Sequence, residues 1–77
     1  MEIESFIKNL ENLFDKKGGL ERSSVFFGNI EWSSFNQLLL VNFINEEYGV
    51  KMNTRDLDPL LTIEGLYKTI REKEEKK

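Results

Sequence analysis

The sequence predicts an all-α fold: three main helices, one short helix, and a long loop between the first two. Three observations predict it. Apolar residues from Met1 to about Lys17 recur at three- and four-residue spacing. Residues 34 to 48 form an apolar-rich run with neither Pro nor Gly, opened by Ser33 and Ser34 and closed by Gly49. Residues 62 to 73 carry a third helical stripe behind Thr62.

The first element is expected near residues 2–16. Ile3, Phe6, Ile7, Leu10, Leu13 and Phe14 make its stripe. Glu2 and Glu4 near its start and Lys16 and Lys17 near its end suit the helix macrodipole. Gly18-Gly19 is the expected stop. Residues 18 to 33 then form a connection longer than most helix–helix loops. Two adjacent phenylalanines are rarely left to solvent, so Phe26 or Phe27 is expected to pin this loop, with Ile30. Trp32 is either a further anchor or an exposed contact.

The second element, 34–48, organises the rest. Ser is a preferred N-cap, because its hydroxyl accepts a hydrogen bond from an unpaired N–H of the first turn. Gly is the usual residue just past a helix end. At about 100° per residue, Leu40, Val41, Ile44 and Tyr48 share one arc, the natural core face. Phe35, Leu38 and Leu39 fall on another part of the wheel. They either pack under the long loop or form an exposed patch that binds something.

Asn53 or Thr54 caps a short helical turn expected between 54 and 60, kept short by Pro59. The last helix, near 62–73, starts at Thr62 and presents Ile63, Leu66, Tyr67 and Ile70, slightly weakened by Gly65. The end has no apolar residue from Arg71 onward, and about 72–77 is expected to be a frayed, solvated tail. The expected core is Ile3, Phe6, Ile7, Leu10, Phe14, Phe26, Ile30, Leu40, Val41, Ile44, Tyr48, Met52, Leu57, Leu66 and Ile70.

Length and composition bound the function. Seventy-seven residues make a single domain, 1–77, with a core small enough to be marginal. With no Cys there are no disulfides and no thiolate metal sites. With no His, the commonest general base and metal ligand is missing too. No carboxylate pair is clustered, so no catalytic constellation and no metal site can be assembled, and an enzyme is not expected. Met1 precedes an amphipathic charged segment rather than a signal sequence. No apolar run approaches a membrane span, so a cytoplasmic location is expected. Lys and Arg total 11 against 14 Asp and Glu, and none of the basic residues lies between Ser23 and Val50. That argues against a phosphate-binding nucleic-acid surface around Ser34, and no nucleic-acid partner is expected.

Taken together, these stretches resemble the acyl carrier protein family, including its peptidyl and aminoacyl relatives. The likeness covers the whole chain and runs without a gap from Phe26 to about Ile70. The family's loop ending Leu-Gly-x-Asp-Ser-Leu corresponds to Ile30-Glu31-Trp32-Ser33-Ser34-Phe35. Its helix ending Glu-Glu-Phe-Gly-Ile-x-Ile corresponds to Glu46-Glu47-Tyr48-Gly49-Val50-Lys51-Met52, at the family's spacing from Ser34. Thr62-Ile63 resembles the pair that opens the family's last helix. The resemblance implies an acyl-carrier-protein-like four-helix bundle. It also implies a covalent 4′-phosphopantetheine arm on the serine hydroxyl, whose thiol holds acyl or aminoacyl groups as thioesters. This chain departs from the pattern at Ser33, where the family has Asp, and at Glu31, where it has Gly.

The resemblance assigns the arm to Ser34, with Ser33 as the alternative. Ser34 keeps the distance to Gly49, has the following apolar residue in Phe35, and has Ile30 at the position of the loop Leu. Ser33 instead satisfies a count from Phe26-Phe27 used by peptidyl carriers. Implied acyl-chain lining residues are Val41, Ile44, Tyr48, Met52, Leu57 and Leu66. The expected partner-binding residues are Trp32, Phe35, Leu38, Leu39, Asn42 and Glu46. The implied partners are a phosphopantetheinyl transferase and acyl-loading or acyl-modifying enzymes, with the chain itself a monomer. Where fatty-acid carriers present many Glu, this helix has Asn36, Leu39, Asn42 and Asn45, with Glu46 and Glu47 kept. That suits a specialised carrier in fatty-acid, polyketide or other biosynthesis. Two classes stay open: a modified carrier, or an unmodified carrier-like module that binds a partner through Phe35–Leu39.

Overall fold

In the computed structural model, which describes residues 2–16 and 18–75, the first helix, α1, spans Ile3–Leu13. It buries Ile3, Phe6 and Leu10, leaves Glu4 and Lys8 exposed, and half-buries Glu11, whose Oε2 accepts from the Leu20 N–H at 3.1 Å. It ends earlier than the expected residue 16, and the reason is local. Asp15 takes a left-handed conformation (φ 54), a region that Asp tolerates better than most residues. The Lys16 N–H then donates back to the Glu11 carbonyl at 2.7 Å and the Asp15 N–H to that of Asn12 at 3.4 Å. This is the paired hydrogen-bond closure of a Schellman motif, with Asp in the usual place of Gly. Lys16 therefore lies past the helix and contributes nothing to its last turn; Lys17 lies outside the described residues, as do Met1 and tail residues 76 and 77.

The second helix, α2, spans Ser34–Tyr48 as expected. Ser33 caps it, and Gly49 ends it in the left-handed conformation (φ 65). Beyond Gly49 the chain is held by one side chain. Asn45 Oδ1 accepts from the Met52 N–H at 3.0 Å, and Asn45 Nδ2 donates to the Met52 carbonyl at 3.4 Å. The short element is a single 3-10 turn, Thr54–Asp56, capped by Asn53, whose Oδ1 accepts from the Arg55 N–H at 2.9 Å. Asp56 Oδ2 accepts from the Asn53 N–H in return at 3.0 Å. It lies within the expected 54–60 stretch, at its start. The last helix, α3, spans Ile63–Glu75. It runs beyond the expected residue 73, so the part of the expected frayed tail from 72 to 75 is helical. Among the described residues there is no strand, only an isolated antiparallel bridge between Val25 and Thr62.

That bridge marks the main fastening of the long loop. Three backbone hydrogen bonds join residues 22–27 to residues 59–64. The Phe27 N–H donates to the Pro59 carbonyl at 3.0 Å, Ile63 N–H to Ser24 at 2.8 Å, and Glu64 N–H to Arg22 at 3.0 Å. The first N–H groups of any helix lack partners within it. Here loop carbonyls take two of them, and Thr62 Oγ1 takes the Gly65 N–H at 3.0 Å. Arg22 adds exposed ion pairs to Glu4 (2.7 Å) on α1 and Glu64 (3.4 Å) on α3. The Arg22 hydrogen bond holds the Glu4 carboxyl below its ordinary pKa.

The core joins all three helices. The Phe6 ring lies 5.8 Å from the ring of Tyr48 on α2 and 5.8 Å from that of Tyr67 on α3. A second aromatic set holds the loop: Phe26 is buried between Phe14 (6.5 Å) and Trp32 (5.5 Å). Phe26 is thus the anchor of the Phe26-Phe27 pair, and Phe27 is 64% exposed. Ile7, Phe14, Tyr48 and Leu57, expected in the core, are only half-buried and pack at its edge. Leu20, Val50 and Ile63 are buried in addition to the expected set. Burial pushes the Tyr48 phenol up, against a hydrogen bond from Asn9 Nδ2 at 3.4 Å.

Two substitutions test this packing. Leu40→Ala or Ile44→Ala, each removing a fully buried side chain, is expected to cost about 2–5 kcal/mol; an unchanged denaturation midpoint contradicts the assignment. Gly65→Ala is expected to destabilise, although Ala is the better helix former by about 1 kcal/mol. A Cβ at residue 65 falls 2.7 Å from Leu61 Cδ1 and 2.9 Å from Leu61 Cγ, and overpacking of this kind costs about 1–3 kcal/mol. A rise in the midpoint shows instead that Leu61 yields.

Candidate functional site

The two serines at the start of α2 have different jobs. Ser33 is the N-cap: its backbone is extended, and its Oγ accepts from the Asn36 N–H at 3.1 Å. Its carbonyl accepts from the Gln37 N–H at 3.0 Å. Ser34 is the first helical residue and is exposed. Among the described residues nothing hydrogen-bonds to its hydroxyl. The N–H groups of Ser34 and Phe35 likewise have no acceptor among the described residues, as their place in the first turn dictates.

Side chains of the first turn fix the approach to this point. Asn36 Nδ2 donates to the Glu31 carbonyl at 2.9 Å, and Gln37 Nε2 to the Trp32 carbonyl at 3.3 Å. Two carbonyls of the entering loop are thereby satisfied, and the chain leading to Ser34 is tied to the first turn of α2. Trp32, proposed from the sequence as a partner contact or an anchor, is half-buried on Phe26 and acts as an anchor.

The outward side of α2 carries the other residues expected to bind partners. Phe35 is 72% exposed and Leu38 53% exposed. Leu39 is half-buried, and Asn42 and Glu46 are exposed. Positions 35, 38, 39, 42 and 46 lie on one face at helical spacing, opposite the buried Leu40, Val41 and Ile44. Phe35 and Leu38 are thus not packed under the long loop, whereas Leu39 is half-buried beside it. Phe27 and Leu60, the latter 68% exposed, form a further apolar surface where loop and 59–61 meet.

Five of the six residues expected to line an acyl chain lie in or against the main core cluster. Ile44, Met52 and Leu66 are buried together in the main core, with Tyr48 and Leu57 half-buried against it. Val41 is buried but outside that cluster. A formed hollow lies elsewhere: a solvent-open depression of about 430 Å³ between the end of α1 and the start of α2. Its lining mixes apolar residues, Leu13, Phe14, Phe35 and Leu39 among them, with the charged Asp15, Lys16 and Glu31. Lys16 Nζ donates to the Asn29 carbonyl at 2.6 Å across it. The α1 and loop residues of this hollow were not expected near Ser34. The signal that places them there is the early stop of α1 at Asp15, which turns Lys16 back towards the loop.

A stability comparison separates the two hydroxyls. Ser33→Ala is expected to cost about 0.5–2 kcal/mol by removing the cap. Ser34→Ala is expected to stay within about 0.5 kcal/mol of the parent, the usual range for a surface change. Equal losses in thermal or chemical melts contradict this division. No protein-family model, no curated protein and no solved structure matches this chain.

Proposed function

We propose that this chain is a carrier protein that takes 4′-phosphopantetheine on the Ser34 hydroxyl and holds an acyl or aminoacyl group for other enzymes, itself catalysing nothing. The observation that carries the reading is the division of labour between the serines. Ser33 satisfies the helix, so the exposed Ser34 hydroxyl is spared any structural duty.

The residues fit the group. Ser34 Oγ would carry the phosphodiester at the positive end of α2, beside the unpartnered N–H groups of Ser34 and Phe35, an arrangement that favours an anion. The arm supplies the thiol that this cysteine-free chain lacks, and with it a thioester link to the cargo. The chain's own residues do the rest. Asn36 and Gln37 tie the approach to Ser34 to the first turn of α2. Phe35, Leu38 and Leu39, with Asn42 and Glu46 further along the same face, offer the transferase and the loading enzymes a mostly apolar docking surface. The order of elements supports an acyl-carrier-protein-like bundle: helix, long fastened loop, helix, short turn, helix. A specialised biosynthetic pathway suits this surface better than general fatty-acid synthesis.

A second reading, an unmodified carrier-like module that binds a partner, draws on the same exposed Phe35 and Leu38. Intact mass after treatment with coenzyme A and a broad-specificity phosphopantetheinyl transferase separates the two. The parent and Ser33→Ala are expected to gain the phosphopantetheinyl mass, and Ser34→Ala to stay unmodified. Modification of Ser34→Ala but not Ser33→Ala moves the site to Ser33. A parent that accepts no arm favours the interaction module.

A further inference from the structure

We infer that the recess in the long loop between Phe27 and Trp32 receives an arginine side chain of a partner protein, its guanidinium set against Glu31. The inference rests on the reading that this chain docks on other proteins, which the carrier and the interaction module share, and it needs no arm on Ser34.

The lining is the first support. Phe27, Gly28, Asn29, Ile30, Glu31 and Trp32 form the recess. Two aromatic side chains, one aliphatic side chain and a carboxylate suit a guanidinium on an apolar stem. Arginine stacks on aromatic faces and forks onto carboxylates. An anion is disfavoured, because Glu31 is the one charged residue in the lining. A metal ion lacks ligands: among the described residues no group of three Asp or Glu is placed to hold one.

The second support is a charge left unanswered. Glu31 is exposed, and among the described residues its carboxylate has no ion pair. Its backbone carbonyl accepts from Asn36 Nδ2 at 2.9 Å, which holds the residue but not its charge. Lys16, which lines the neighbouring depression together with Glu31, gives its ammonium to the Asn29 carbonyl at 2.6 Å. The loop itself supplies no base, since no Lys or Arg lies between Ser23 and Val50. The cation that completes the recess therefore comes from another molecule.

The third support is that the walls are already in place. The Asn29 and Ile30 N–H groups both donate to the Phe26 carbonyl, at 3.0 and 2.9 Å, and Asn29 Nδ2 donates to that of Val25 at 2.7 Å. Phe27 is tied to Pro59 through its N–H, and Trp32 rests on Phe26. Gly28, at φ 87, makes the turn between them. A site formed in advance spares the ordering cost of binding. The recess is open to solvent, which suits a protruding side chain whose own protein closes over it. Excluding water in that way strengthens the pairing with Glu31.

The test is an NMR titration of the isotope-labelled, unmodified full chain with Nα-acetyl-arginine amide. Saturable shifts of the backbone amides of residues 27–32 and of the Trp32 indole N–H are the expected result. Glu31→Gln and Phe27→Ala are each expected to weaken binding about two- to fivefold, the worth of an exposed ion pair or cation–π contact. The exposed Glu72→Gln on α3 is expected to leave it unchanged. Nα-acetyl-lysine amide is expected to bind more weakly than the arginine probe. The inference is overturned by shifts that do not saturate, by shifts centred on other carboxylates, or by equal binding to Glu31→Gln or of the lysine probe. Because the titration uses the unmodified chain, its outcome is independent of whether Ser34 takes an arm.

Discussion

The structure depends on the backbone fastening between residues 22–27 and 59–64. A chain this short has little apolar surface to spare, and its loop from 18 to 33 is too long to be left loose. The three hydrogen bonds solve two problems at once. They give loop carbonyls a partner, and they complete the N-terminus of α3, whose first N–H groups have none of their own. With the loop held there, Phe26 is set between Phe14 and Trp32, and Ile30 and Leu20 are buried. The approach to α2 follows from that placement. The exposed ion pairs of Arg22 lie over this fastening but add little by themselves, because exposed pairs are well screened.

From this corner, α2 is a helix with two apolar sides that do different things. Leu40, Val41 and Ile44 face inward and are buried. Phe35 and Leu38 face outward and stay wet. The fold gains nothing in its own stability from exposed side chains of that size, and a helix needing only one stripe would carry polar residues there. The outward side is thus the part of α2 that folding alone does not explain. It starts next to Ser34, which folding does not need either.

Much of the fold was legible in the sequence where residue type and geometry coincide. Both ends of α2 were, because Ser33 and Gly49 are the residues those positions demand. So was Thr62 as the cap of α3. The end of α1 was not, since Asp15 occupies a conformation for which Gly is the stronger signal, and a Gly pair stood only three residues on. Leu20 and Val50 were missed because each follows a glycine outside any helical stripe, so periodicity is silent about them. Ile63 was read as helical but not as core; its burial comes from the loop that crosses the start of α3. At the candidate site, the sequence showed two serines suited to capping. Only the backbone geometry tells which one caps, since neighbouring positions differ by a single residue of register.

The exposed side of α2 also has a colloidal consequence. Copies of this chain are kept apart by a net charge of −3 at pH 7, and no Lys or Arg lies between Ser23 and Val50 to pair with an acidic neighbour. Glu31, Glu46 and Glu47 place like charge on or beside α2, which works against two copies meeting at Phe35 and Leu38. Net charge near zero favours association, and the exposed apolar area of α2 is the surface on which it would act. Association of two copies through α2 is therefore a matter of the charge placed around one helix rather than of the stability of the core.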